Sequence, residues 1–350
     1  MTKRVCLVGY YGYGNFGDDL MLGILVDVFK KLNCSITVIT KRKCDFLSDD
    51  VTQVIPGSLS LSTIYSDTFS KSDVVVWGGG TCFYTSNNNI KGMLGVLKRV
   101  LIAKRHGCKF NFLGVGVEPT KSLLGRIIYK CILLLSDDII CRDKASFQVL
   151  CDYSKESLVH SDLTYLLNPI NRTSKIELDY IAFFPAGYAN AFDNINSIVQ
   201  LLCEVYEYYK KKIVLVSLHD GIDEKFNLDV YKRLYSKIPI ELSHSKSVEE
   251  RTKILSGSYF NIGMRLHSVI LSDVFNVPVF SIAYQRKVSD YLERVNCLEY
   301  KRYVDINERY DIRDIVISIN EQFCSVRVKK YVDLERQLLL NCTEKLLLGV

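Results

Sequence analysis

The chain has no hydrophobic run long enough to span a bilayer. Its best candidate, residues 127–135, is interrupted by Lys130 and reaches about half the length that a spanning helix needs. No apolar leader precedes the first strand-like stretch, because Met1-Thr2-Lys3-Arg4 leads straight into residues 5–8. There is no CxxC pair and no Cys/His quartet at zinc-finger spacing. The twelve cysteines therefore read as buried thiols in a reducing compartment, with Cys6 in an apolar strand and Cys131 and Cys203 inside helical patterns. No Asp/Glu cluster suggests a metal, and neither repeats nor low-complexity segments occur. The single tryptophan, Trp77, is expected in the core. These absences predict a cytoplasmic protein, at most peripheral to the inner face of a membrane, with no metal and no cofactor of its own.

What is present is an ordinary globular composition, 48% hydrophobic and 24% charged, over 350 residues. That length favours two domains over one core. The formal charge of +6 is spread along the chain, with small clusters at Lys41-Arg42-Lys43 and Lys210-Lys211-Lys212. Such a spread does not argue for nucleic acid and fits anionic small substrates or an anionic membrane surface. Residues 121–135 form an amphipathic basic stretch, with Lys121, Arg126 and Lys130, that suits packing on a sheet or resting on a membrane.

Strand and helix patterns alternate from end to end. Strands are predicted at residues 5–9, 35–40, 73–77, 110–116, 139–142 and 157–160, with helices at 17–32, 92–106, 121–135 and 143–151. The polar run with Asn168-Pro169 and Asn171 breaks the pattern. A second series follows, with strands at 180–185, 213–218, 259–262 and 279–283 and helices at 194–210, 225–237, 248–256, 266–275 and 288–295. The expected fold class is α/β, with two Rossmann-like doubly wound domains facing each other across a cleft. The boundaries predicted are 1–165 for the first domain, 166–178 for a linker, 179–310 for the second domain and 311–350 for terminal helices.

Four segments fall where open α/β sheets bind ligands, at the carboxyl ends of strands. The first is Gly9-Tyr10-Tyr11-Gly12-Tyr13-Gly14-Asn15-Phe16-Gly17-Asp18-Asp19, between the first strand and first helix. It contains a literal GxGxxG at 12, 14 and 17, yet residues 37–41 end the second strand without the acid a dinucleotide ribose requires. Either Asp18 or Asp19 there caps the helix, or Asn15, Asp18 or Asp19 touches substrate hydroxyls. The second is Trp77-Gly78-Gly79-Gly80-Thr81, where glycines without a packing purpose of their own admit a ligand or simply make a tight turn. The third is Cys141-Arg142-Asp143, where Arg142 clamps an anion or pairs with Asp143 or Asp162.

The fourth is the most informative: Gly263-Met264-Arg265-Leu266-His267-Ser268, followed by a strand ending at Tyr284 and then Lys287. Two cations and an imidazole at one rim suit an anionic substrate and proton transfer. The remaining histidines, His106, His160, His219 and His244, read as helix-end or loop residues.

Taken together, these segments resemble the polysaccharide pyruvyl transferase family. GYYGYGNFGDD resembles its amino-terminal GxxxxxNxGDE element, with Asp19 where the family has glutamate. GGGT and CRDKAS resemble its second and arginine-bearing elements, and GMRLHSVILSDVFNVPVFSIAYQRKV its carboxyl-terminal signature. The resemblance covers residues 4–295. It implies a GT-B-like fold, phosphoenolpyruvate as co-substrate and donor, and a saccharide acceptor, lipid-linked and of galactose or N-acetylmannosamine type. The product implied is a cyclic pyruvate ketal on a cell-surface polysaccharide or its precursor. Arg142, His267 and Lys287 fall on presumed catalytic positions. Arg265, Ser268 and Tyr284 would bind donor on the second domain, and Asn15, Asp18, Asp19, Gly79 and Gly80 would bind acceptor on the first. The competing readings are a nucleotide-sugar glycosyltransferase, for which Val288-Ser289-Asp290 offers only Asp290 as a ribose carboxylate, and a non-catalytic saccharide-binding protein.

Overall fold

The structure, a computed structural model, describes all residues except 1, 58–59, 85–89, 154–157, 160–161, 168–178, 296–300, 325–326 and 349–350. The chain forms two compact units, Met1–Leu166 with Glu335–Val350, and Leu167–Leu334. Most of the predicted linker, and His160, lie outside the described residues.

The first unit runs β1 (Arg4–Val8), α1 (Phe16–Lys31), β2 (Ser35–Ile39), β3 (Thr52–Val54), α2 (Leu61–Phe69), β4 (Val74–Gly78) and β5 (Thr81–Phe83). It continues through α3 (Lys91–Arg105), β6 (Lys109–Val117), α4 (Leu123–Leu135), β7 (Ile139–Cys141), α5 (Lys144–Cys151) and β8 (Leu158–Val159). Its strands pair in parallel in the order β3-β2-β1-β4-β6-β7-β8, with β5 added against β6. Because successive side chains on a strand point to opposite faces, the sheet has a core on each side. Cys6, Val8, Val75 and Phe112 join one cluster, while Val5, Leu7, Val74 and Val76 join the other.

The second unit contains β9 (Tyr180–Phe184), α6 (Ala189–Asp193), α7 (Ile195–Tyr209), β10 (Lys212–Leu215), α8 (Ile222–Leu234), β11 (Ile240–Leu242) and α9 (Val248–Gly257). It goes on with β12 (Asn261–Gly263), α10 (Leu266–Val274), β13 (Val279–Ala283), α11 (Arg286–Val295), β14 (Tyr303–Asp305) and α12 (Ile312–Cys324). Its strand order is β11-β10-β9-β12-β13-β14, again with parallel pairs throughout. Helix α13 (Arg327–Leu348) ends the chain. Its residue Leu339 is buried in the first unit's core, and Arg336 Nε donates to the Tyr165 carbonyl at 2.8 Å.

Both units are α/β with the doubly wound order. Strands β3, β5, β11 and β14, three residues each, and helix α2 are absent from the predicted elements. Trp77 is half-buried and packs on Phe112 at a ring-centroid distance of 6.3 Å, so it borders the core and does not fill it. Among the described residues no helix is long and apolar enough to cross a membrane.

Candidate active site

In each unit the strand order reverses at one point, between β1 and β4 and between β9 and β12. At such a switch point the loops leaving neighbouring strands turn to opposite faces of the sheet and open a crevice at the carboxyl edge. The sequence-predicted residues occupy these edges.

In the first unit the loop after β1 is braced from within. Asn15 is the N-cap of α1, its side chain accepting from Gly17 N at 3.1 Å. The expected alternative, a cap by Asp18 or Asp19, is corrected by this geometry. Asp19 Oδ1 instead accepts from Gly12 N at 2.7 Å and holds the loop's glycine turn. Tyr11 OH donates to the Gly78 carbonyl at 2.7 Å, tying the β1 loop to the β4 loop. Burial pushes the Tyr11 phenol above its ordinary pKa, with the nearby Asp18 charge adding to it. Tyr10 and Tyr13 stack on each other, centroids 4.1 Å apart, and both are exposed.

The triple glycine after β4 has a packing reason that the sequence did not disclose. A Cβ at Gly78 would meet Leu25 Cδ1 at 2.1 Å and one at Gly79 would meet Met21 Sδ at 2.4 Å, so α1 lies directly on this turn. Gly80 has φ +73°, and a Cβ there would stand 2.9 Å from Asp18 Oδ1. Asp18, buried, therefore faces the backbone of the glycine turn.

Arg142 follows β7 and is buried. Its Nε donates to Asp143 Oδ2 at 3.3 Å and its Nη2 to Thr81 Oγ1 at 3.4 Å, both long contacts. Asp143 also caps α5, accepting from Ser146 N at 2.7 Å. Burial opposes its charge, but Arg142 and the Ser146 contacts outweigh burial and hold its pKa below the usual carboxylate value. Of the two acids expected as partners, Arg142 takes Asp143. Asp162 accepts from Thr164 N and Oγ1 at 3.0 and 2.9 Å.

The second unit's edge is organised by a residue that sequence reading missed. Asp223, fully buried in the first turn of α8, accepts from Gly187 N at 3.0 Å, Leu218 N at 3.1 Å and His219 N at 2.9 Å. It also takes Arg265 Nε at 3.0 Å and Nη2 at 2.5 Å in a bidentate pair. One carboxylate thus joins the loops after β9, β10 and β12. Gly187 is required because a Cβ there would sit 2.3 Å from the Ile222 carbonyl oxygen. Burial works against the Arg265 charge, yet Asp223 outweighs it and raises the guanidinium pKa. The signal available in the sequence was an acid in the first turn after a strand-loop, which is ordinary in any helix.

Arg265 lies 5.0 Å above the Tyr188 ring, and Tyr188 stacks on Tyr284 with centroids 5.5 Å apart and planes 14° from parallel. Burial raises the Tyr284 phenol above its ordinary pKa, with Arg265 opposing. Asn190 Nδ2 donates to the Tyr284 carbonyl at 3.2 Å. Ser268 is fully buried and donates to the Arg265 carbonyl at 2.6 Å, closing the turn into α10. His267 is half-buried in the first turn of α10, with its Nε2 buried. Lys287 is exposed in the first turn of α11, after the neighbouring strand β13. The fold therefore brings Arg265, His267, Ser268, Tyr284 and Lys287 to one sheet edge. Among the described residues no group of three or more His, Cys, Asp or Glu is placed to hold a metal.

Two Rossmann-like units with switch-point loops of this kind define the GT-B class. Solved structures agree. UDP-GlcNAc 2-epimerase from Methanocaldococcus jannaschii superposes with a TM-score of 0.65 at 15% identity, over 98% of this chain and 100% of that one. A glycosyltransferase from Rickettsia africae gives 0.61 at 13% identity, over 97% and 93%. The S. aureus MnaA–UDP structure gives 0.61 at 13%, over 96% and 91%. No curated protein matches the sequence. The polysaccharide pyruvyl transferase family model matches residues 15–286. The chain belongs to that family.

Proposed function

We propose that the protein transfers the enolpyruvyl carbons of phosphoenolpyruvate to two hydroxyls of one sugar, forming a cyclic ketal on a polysaccharide or its lipid-linked precursor. Family membership supports the transfer of a pyruvyl group. The single observation that favours an acid–base site for an anionic donor is the second unit's sheet edge, where Arg265, His267 and Lys287 stand on adjacent strand ends.

In the proposed reaction Arg142 and Lys287 neutralise the donor's carboxylate and phosphate. His267 moves protons, because an imidazole can both accept and donate one. The methylene carbon gains a proton, leaving an oxocarbenium-like C2. One sugar hydroxyl adds to C2 and loses its proton. The second hydroxyl displaces phosphate, which departs with the other proton. Arg265 and Ser268 act through the turn they hold, and Tyr284 supplies an apolar wall beside the donor methyl group. Asn15, Asp18, Asp19, Gly79 and Gly80 form the acceptor side, with Asp18 and Asp19 setting the shape of the glycine turns there. The proposed setting is cytoplasmic.

The likeness to UDP-sugar epimerases and a glycosyltransferase favours one second reading, use of a nucleotide sugar. A donor screen decides between them. The protein is incubated with phosphoenolpyruvate and a panel of aryl or lipid-linked galactosides and N-acetylmannosaminides. The expected result is phosphate release and an acceptor heavier by one pyruvate less water. Nucleotide release from a UDP-sugar, with no turnover of phosphoenolpyruvate, would replace the proposal with the second reading.

A further inference from the structure

Helices α3 and α4 pack side by side on the first unit's sheet and turn a shared face outward. The buried side of α4, with Ile128, Tyr129, Ile132 and Leu133, fills the core as an amphipathic helix should. Its other side is apolar as well. Leu123, Ile127 and Leu134 recur at four- and seven-residue spacing and are exposed, Leu123 at 77% and Leu134 at 71%, with Leu124 beside them. On α3, Leu94 and Leu101 are likewise exposed one above the other.

The charges between these side chains are of one sign. Along the exposed stripe of α3 the residues run Lys91, Leu94, Lys98, Leu101, Arg105. On α4 the exposed Arg126 and Lys130 interleave with the leucines, and exposed Lys121 stands just before the helix. Residues 91–136 hold nine Lys and Arg against a single acid, Glu118, in a chain whose totals are 45 to 39. Of the nine, Lys104 pairs with Asp137, Arg99 lies over Tyr65 and Trp77, Arg126 Nε reaches the Thr120 carbonyl at 3.4 Å, and Lys109 opens β6. Lys98, Arg105, Lys121 and Lys130 are exposed on the apolar face or its border.

We infer that the outer face of α3 and α4 docks on an anionic lipid surface. Leucines at this depth reach the boundary between headgroups and acyl chains, while lysine stems extend along them and keep their ammonium groups among the phosphates. A patch of apolar side chains ringed by cations is the complement of that interface. Pairing with a second copy fits less well, because a two-fold contact sets the same basic stripe against itself. The inference is independent of the reaction proposed above, since it uses no residue of either sheet edge.

The test is co-sedimentation of the full chain with phosphatidylcholine vesicles, with and without about one quarter phosphatidylglycerol. Binding to the anionic vesicles should exceed binding to neutral ones by about tenfold or more. Raising salt from about 0.1 to 1 M, which shrinks the screening length from about 10 to 3 Å, should release the wild-type protein. The double variants Ile127→Asp/Leu134→Asp and Lys98→Glu/Lys130→Glu should each lose about tenfold in bound fraction with unchanged thermal melts. Equal binding to both vesicles, no binding to either, or variants that bind like wild type would overturn the inference. So would a concentration-dependent dimer that Ile127→Asp/Leu134→Asp dissociates while wild type ignores vesicles.

Discussion

Arg265 and Asp223 form a two-pronged ion pair 42 residues apart in sequence, with Asp223 fully buried and taking three backbone amides besides. Arg265 is thereby spent on structure. The motif that looks most like a row of substrate ligands uses its first cation to hold the loop, and the chemistry proposed above falls to His267, Lys287 and Arg142.

Removing the carboxylate should therefore be costly. Asp223→Ala leaves a buried guanidinium and three amides without their acceptor, and about 3–5 kcal/mol of stability should be lost. Asp223→Asn, which keeps one acceptor oxygen, should lose less. Urea denaturation followed by tryptophan fluorescence or circular dichroism measures both, and an Asp223→Ala protein as stable as wild type would contradict the bracing role.

His267→Ala is expected to behave in the opposite way. Turnover should fall by about 10²–10⁴-fold, as for loss of a general acid–base, while the melting temperature stays within a degree or so of wild type. Initial rates of phosphate release provide the measurement, and wild-type rates would remove His267 from the proposed chemistry.

At Gly80 the backbone occupies the left-handed region, and an added methyl group meets Asp18 Oδ1 at 2.9 Å. Gly80→Ala should cost about 1–3 kcal/mol and reduce activity by displacing Asp18. Gly92, in the first turn of α3, has open space around its Cβ position. Gly92→Ala should leave stability unchanged or raise it by up to about 1 kcal/mol. Paired thermal melts distinguish strain at a particular backbone position from a general intolerance of alanine.

The Asp143 carboxyl is held below its ordinary pKa despite burial, by Arg142 and the Ser146 contacts. A depressed folded value means its stabilisation is fully present above the unfolded pKa of about 4 and fades as pH falls through the folded value. The stability advantage of wild type over Asp143→Asn should therefore be constant between about pH 5 and 7 and shrink below about pH 4. Melts across that range provide the check, and an advantage that grew on acidification would contradict the assignment.

The thiols differ sharply. Burial raises the pKa of Cys6 and Cys82, whereas Cys151 is exposed. Iodoacetamide at about pH 8 should label Cys151 in the native protein and leave Cys6 and Cys82 unmodified until urea is added. Peptide mass mapping reads the order, and early labelling of Cys82 would show that its unit opens locally.

The sequence by itself determined the class of fold, because alternation of apolar strands with 3.6-period helices leaves a parallel, doubly covered sheet as the way to bury both. It determined as well which residues stand at the carboxyl ends of the strands, since a glycine turn or a cation just after a strand is a local signal, as at Gly78 to Gly80, Arg142 and Arg265. Residue identities along the chain also pointed to the family. Only the tertiary structure decided which of those side chains face inward. Asp223 has no local signature and gains its role from three loops that meet around it. Likewise Leu25 and Met21 explain the glycines after β4 from across the sheet edge. The outward leucines of α4 were indistinguishable from its inward ones until the sheet fixed which side of the helix it covers. Periodicity is a property of neighbours in sequence, whereas bracing, close approach and exposure depend on residues far along the chain.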